Sequence, residues 1–351
     1  MATTSFEQAI VGQRQARALL ERALDGERVN HAYLFVGPAG VGKSTLAHAF
    51  ARALNCQGEH RPCGSCRPCR LAARNLYPEM IVVEPGKSLP SATNTRSEGS
   101  TQKLSETTLV IEQVRQIQRD AVLSPREGRW KVYLIPEASL LTTEAANCLL
   151  KTLEEPAPHV VLILTAEQPG ALLPTIVSRC QTVRLAPLPI GEIEAALIER
   201  YQVPAEQART LARLSGGRPG WAIGALSSPE TLTEREARLG DLETLARGSR
   251  AERLSYSEKL ALEVGRDPEK ASRTLKLWLG WWRDVLLVRV GCEDLVANWD
   301  YVADLRRWAG RLSVEQIRAA ARSTEATMTQ LAQNVNTRLA LDVLLLDMPA
   351  G

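Results

Sequence analysis

Near the start of the chain Ala16, Leu19, Leu20 and Ala23 recur close to helical spacing, and the turn formers of DGERVN follow them. The apolar, β-prone stretch HAYLFVG then runs through a glycine-rich segment into a second helical pattern, Ala47, Phe50, Ala51 and Leu54. EMIVVEP, KVYLI and HVVLILTA read as further strands, and TVRLAPLP supplies a last one before a proline-bounded linker. Between them LVIEQVRQIQRDAVLSP puts Ile111, Val114, Ile117 and Val122 on one helical face ended by Pro125. TTEAANCLLKTLEEP is a helix with Thr142 or Thr143 as N-cap and Pro156 as stop. From Ile190 onward the strand pattern ceases. Ile193 to Tyr201, Ala205 to Leu214 and Pro219 to Leu226 form a small helical group, and a longer helical region follows SSPETLTE. In that region Leu275, Trp278, Leu279, Trp282 and Leu286 make an apolar stripe of core type. Trp281 lies off the stripe, which points that side of the helix toward a neighbouring subunit.

Strands alternating with helices imply a parallel sheet covered on both faces, so the fold class is α/β followed by an all-α part. Residues Pro85 to Thr108 are rich in Ser, Thr, Gly and Pro and too polar to bury a core, which predicts a flexible surface insertion over 85–108. At 351 residues the chain has room for two or three domains. A net charge of only +3 gives no global attraction for nucleic acid, so any such contact must come from local patches or from partners. Arg126 and Arg129, before the third strand, are either solvated loop charges or such a patch. The first residues lack a basic and apolar leader, and no apolar run approaches the roughly 18 residues of a membrane span, so a cytoplasmic location with no membrane contact is expected.

The glycine-rich segment, GPAGVGKS, fits G-x-x-x-x-G-K-[ST]. Gly37, Gly40 and Gly42 sit where a Cβ would block the turn or the approach of a phosphate. Lys43 neutralises β/γ-phosphates, and Ser44 offers a hydroxyl to Mg²⁺. The strand before and the helix after are the context this loop needs, so bound ATP or ADP is expected. Cys56, Cys63, Cys66 and Cys69 are spaced C-x₆-C-x₂-C-x₂-C, which lets four thiolates close a tetrahedral shell with no position left for water. A structural Zn²⁺ is expected. His60 inside the loop is an alternative ligand, and redox chemistry at CGSC an alternative role. Cys148 and Cys292 lie in helical patterns and read as buried packing residues.

A phosphate loop normally works with a strand ending in an Asp that holds Mg²⁺ and a Glu that polarises water. KVYLIPE keeps Glu137 but has Pro136 where the Asp belongs, so little or no hydrolysis is expected at this loop. Glu137 is either a weak magnesium ligand or a surface carboxylate. Arg179, in TIVSRCQTV, stands alone among small residues after the fourth strand.

VGQ (residues 11–13), HAYLFVGPAGVGKST, the four-Cys cluster, AANCLLKTLEEP, SRC (178–180) and LSGGRPGWAI (214–223) occur in the order found in the clamp-loader branch of the AAA+ ATPases, which this chain resembles over about its first two thirds. The resemblance implies a RecA-like nucleotide-binding domain over 1–186 carrying the zinc module at 56–69, a helical lid over 187–240 and a helical collar over 241–351 for oligomerisation. It implies that Val11 and Gly12 lie near the adenine. The loop Gly37, Pro38, Ala39, Gly40, Val41, Gly42, Lys43, Ser44 and Thr45 would hold the phosphates, and Thr165 would stand at sensor 1. Arg179 becomes an arginine finger acting on the nucleotide of a neighbouring subunit, a role that suits a planar guanidinium. In the G-S-x-R register of the motor subunits, the sensor 2 arginine falls on Gly220, with Arg218 two positions away. The implied partners are the gamma or tau motors and delta in a pentameric ring, the sliding clamp, and primer-template DNA through the complex. A non-motor assembly subunit is therefore expected, the alternative being an autonomous ATP-hydrolysing motor.

Overall fold

The computed structural model describes residues 6–26, 28–89, 105–228, 230–267, 269–333 and 335–349. The centre of the expected insertion, residues 90–104, lies outside the described residues. In chain order the first elements are α1 (Phe6–Ala9), α2 (Arg14–Asp25), β1 (Ala32–Val36), α3 (Lys43–Leu54), α4 (Arg67–Ala72) and β2 (Met80–Val82). Then come α5 (Ile111–Ala121), β3 (Lys131–Ile135), α6 (Thr143–Glu154), β4 (Val160–Ala166), α7 (Pro174–Val177) and β5 (Gln181–Arg184). The remaining elements are helical: α8 (Ile190–Tyr201), α9 (Ala205–Leu214), α10 (Pro219–Ser227), α11 (Glu230–Arg247), α12 (Arg250–Arg266), α13 (Glu269–Arg289), α14 (Val302–Arg311), α15 (Val314–Ala332) and α16 (Thr337–Leu346). The chain packs as two units, one of residues up to 196 with 217–221, the other of 197–216 with everything from 222 onward.

In the first unit the strands form one parallel sheet in the order β2-β3-β4-β1-β5. Side chains alternate across a strand, and here both faces are covered. Tyr33 and Phe35 of β1 join Leu20, Leu46, Ala47 and Phe50 on one face. Leu34 and Val36 join Val114, Ile117, Leu149 and Leu153 on the other. This double burial is why the strands read as nearly continuous apolar runs. Thr142 is the N-cap of α6, its hydroxyl accepting from the Ala145 N–H at 3.2 Å.

The second unit is built around α13. Leu275, Trp278, Trp282 and Val285 are buried, and Trp282 meets Trp308 of α14 edge to face at 5.3 Å between ring centroids. Trp281, expected to face outward, is also buried, against Tyr301 and Trp308. Helix α13 is enclosed by neighbours on more than one side, so the single-stripe reading was too narrow. Two other expectations fail. Val122 is 78% exposed, because α5 ends at Ala121 and a step of five from Ile117 rotates away from the buried face. Ala121 takes its place. Cys292 is exposed in the turn after α13, whereas Cys148 is partly buried on α6 as expected.

Arg253 of α12 holds two helix ends in this unit. Its guanidinium donates to the carbonyls of Leu245 (2.9 Å) and Ala246 (3.3 Å) in the last turn of α11, and to those of Leu345 (3.1 Å) and Met348 (2.7 Å) at the end of α16. Helix ends leave carbonyls unpaired and carry partial negative charge, so one buried cation satisfies both. Arg253→Ala is expected to cost about 2–4 kcal/mol. Trp278, Trp281, Trp282, Trp299 and Trp308 all lie in this unit. Their fluorescence in a urea titration would register the earlier midpoint.

Candidate functional site

The phosphate-loop sequence spans the carboxyl end of β1 and the start of α3. Parallel pairing brings the ends of β1 and β4 to the same level, Phe35 opposite Thr165 and Val36 opposite Ala166, and the Gly37 N–H donates to the Ala166 carbonyl at 3.3 Å. Gly42 immediately precedes α3 with φ 104°, and a Cβ there would sit 2.7 Å from the Ile10 side chain, so only glycine fits. The Lys43 ammonium donates to the carbonyls of Gly37 (2.6 Å) and Pro38 (2.9 Å). Burial holds its pKa below the usual lysine value, opposed by the carboxylates of Glu167 and Glu137. Pro38, Ala39, Gly40, Ser44 and Thr45 are exposed, and Val41 is buried. The first turn of α3 offers N–H groups and a positive helix end, the arrangement that binds a phosphate.

Val11 is buried and Gly12 half-buried in the turn that leads into α2. Next to them Gln13 adopts a left-handed conformation, φ 55°. Its amide nitrogen donates to the carbonyls of Val41 (3.3 Å) and Ala186 (2.7 Å), while its oxygen accepts from the Ala186 N–H at 3.3 Å. One side chain thus joins the amino-terminal turn, the loop and the segment after β5.

Pro136 follows β3, and its missing N–H leaves no gap in the ladder because the strand ends at Ile135. Glu137 is exposed, with a left-handed backbone at φ 52°, and its N–H donates to the Thr165 hydroxyl at 3.0 Å. Thr165 is buried, so the hydroxyl assigned to sensor 1 is engaged with this turn. Gly220, in the first turn of α10, lies on the loop. Its N–H donates to the Gly40 carbonyl at 2.8 Å, and a Cβ on residue 220 would stand 2.8 Å from that same oxygen. Gly40 therefore supplies an acceptor to the first turn of α10, and residue 220 has no room for a side chain in this arrangement.

Arg179 follows α7. Its guanidinium pairs with Glu154 at 2.8 Å and donates to the Thr175 carbonyl at 3.1 Å and the Ser178 hydroxyl at 3.4 Å. None of these partners belongs to the loop. Sequence reasoning missed three participants: Gln13 beyond its motif, Glu167, and the partner of Arg179. The register of β4 against β1 signals Glu167, since it places the residues after Ala166 beside Gly37.

Apart from the loop, the Sγ atoms of Cys56, Cys63, Cys66 and Cys69 all lie within 4.8 Å of one another. Cys56 Sγ accepts from the N–H groups of Gly58 (3.4 Å) and Cys63 (3.2 Å), and Cys63 Sγ from that of Cys66 (3.3 Å). Backbone donors aimed at sulfur stabilise thiolates, so the donor set fits one metal ion such as zinc. His60 is not among these ligands.

A phosphate-loop sequence at the end of an inner strand of a parallel sheet, followed by an all-helical unit, defines a P-loop protein of the AAA+ class. Residues 12–189 match the family described as DNA polymerase III, delta subunit, and residues 231–349 match its C-terminal part. The chain belongs to this family. It is 28% identical over 341 residues to DNA polymerase III subunit delta' of Bacillus subtilis, covering 97% of each protein. It is 38% identical over 196 residues to subunit delta' of Pseudomonas aeruginosa, covering 54% of this chain and 53% of the relative. With subunit tau of Salmonella typhimurium it shares 34% over 236 residues, and it spans only 33% of that protein's length.

Two outcomes follow from the site's geometry. Elemental analysis of the purified protein should return about one metal ion per chain, and Cys66→Ser should lower both that content and the thermal midpoint. Gly220→Ala should destabilise the first unit by about 1–3 kcal/mol by pushing a methyl group onto the Gly40 carbonyl, seen as easier proteolysis of the loop.

Proposed function

We propose that this chain is a delta-prime type assembly subunit of a clamp loader. It stands in a pentameric ring with gamma or tau motors and delta, and helps them place the sliding clamp on primer-template DNA in the cytoplasm. The observation that carries the reading is the state of the turn after β3. Pro136 offers no ligand to magnesium, and the Glu137 backbone is tethered to Thr165. The backbone contact at Gly220 removes a second charge that a γ-phosphate needs. The match to a delta' relative runs over 97% of this chain, against 66% for tau, and supports the same reading.

In this reading Val11, Gly12, the loop from Gly37 to Thr45 and Thr165 surround a bound ATP or ADP with Mg²⁺ that is hydrolysed slowly or not at all. Residues 1–186 are the nucleotide-binding domain, 187–240 the lid and 241–351 the collar. The four cysteines hold a structural Zn²⁺ that fastens the segment between α3 and β2. Arg179 reaches the nucleotide of the neighbouring motor, where a guanidinium placed against developing charge on the γ-phosphoryl oxygens accelerates its transfer. The protein's contribution to hydrolysis is then made in trans.

Arg179→Ala should slow hydrolysis at the one bordering site about a thousandfold. The reconstituted ring would lose that site's share of DNA-stimulated turnover while gel filtration shows it still assembled. The rival, a self-sufficient motor, requires ATP turnover by the isolated chain that disappears in Lys43→Ala, and calorimetric binding without turnover would exclude it.

A further inference from the structure

The proposed finger is not extended. Arg179 folds back over α7, with one terminal nitrogen on the Thr175 carbonyl and the Ser178 hydroxyl and the other on the Glu154 carboxylate at the end of α6. A carboxylate and a phosphoryl group compete for the same planar fork of donors.

We infer that Glu154 is a positioning residue that parks Arg179 within its own subunit, and that a neighbour's nucleotide must displace this carboxylate to recruit the finger. The inference rests on the trans-acting role proposed for Arg179. In this role Glu154 acts only through the arginine. Its side chain is 50% exposed and that of Arg179 35%, so the pair is screened by water and holds weakly. A weak hold suits a latch, since a tight one would keep the finger from any phosphate. It also sets the scale of the effect, because an exposed pair biases an equilibrium by about two- to fivefold.

The test is steady-state ATPase of the full reconstituted ring, with and without primed DNA, for the wild type, Glu154→Gln, Arg179→Ala and the double variant. Glu154→Gln keeps the size and one acceptor oxygen but removes the charge, and at an exposed position it leaves the fold intact, which circular dichroism checks. The latch predicts a two- to fivefold rise in the bordering site's share of kcat without DNA, that share being the part lost in Arg179→Ala, with little change in KM and a smaller rise at saturating DNA, where the neighbour already holds the finger. It predicts no rise in the double variant, because the effect passes through Arg179. A fall in kcat for Glu154→Gln overturns the latch and makes the carboxylate an orienting group. No change in Glu154→Gln beside a loss in Arg179→Ala overturns the latch alone. No change in either variant overturns the trans-acting role together with the latch.

Discussion

Parallel pairing of β1 between β4 and β5 decides where the chemistry of this chain gathers. Parallel strands all end at the same edge of the sheet, and each must be left by a crossover, so the segments after β1, β3 and β4 meet there whatever their sequences. The loop, the turn at Pro136 and Glu137, and Glu167 come from three separate stretches and lie together for this reason. Burial of both sheet faces holds the strands to a single register. Slipping β1 by one residue would move Tyr33 and Phe35 into the side packed by α5 and α6.

At that edge the chain has the glycines and helix turn of a phosphate loop, and in the proposed reading it lacks some of the groups that cleave a phosphate. Glycines and the first turn of α3 need only backbone groups. Cleavage needs charged groups placed in advance. Pro136 stands where the proposed reading expects one such group, and residue 220, where it expects another, has no space for a side chain. Thr165 is turned to a structural bond with the Glu137 N–H. The remaining carboxylates, Glu137 and Glu167, act on Lys43 by charge. Arg179 stays within hydrogen bonds to its own subunit.

Much of this was legible in the sequence because it is written in local patterns. Strands buried on both faces are apolar runs. The loop is a spacing of glycines, and the four-sulfur cluster is a spacing of cysteines. Features that depend on where distant segments meet were not legible. Trp281 looked peripheral because one stripe predicts one buried face, whereas α13 is enclosed more widely. Val122 and Cys292 were misjudged at helix ends, where periodicity stops carrying information. The contact of Gly220 with Gly40 joins backbone atoms far apart in the chain and leaves no side-chain signature except two glycines. The bond from Arg179 to Glu154 likewise links two motifs that were read separately.

Arg253 has a consequence for how the molecule is made. Two of its acceptors, the Leu345 and Met348 carbonyls, are made 92 and 95 residues after it. Until then its positive charge sits beside α11 without half of its partners, and the core around α13 lacks Leu341, Leu344 and Leu345. The sheet unit needs nothing beyond residue 221, so it is free to close while synthesis continues. The helical unit closes only after α16 has been made. A nascent chain carries the phosphate-loop unit attached to an unfinished bundle, which holds back any association that uses the bundle until α16 is in place.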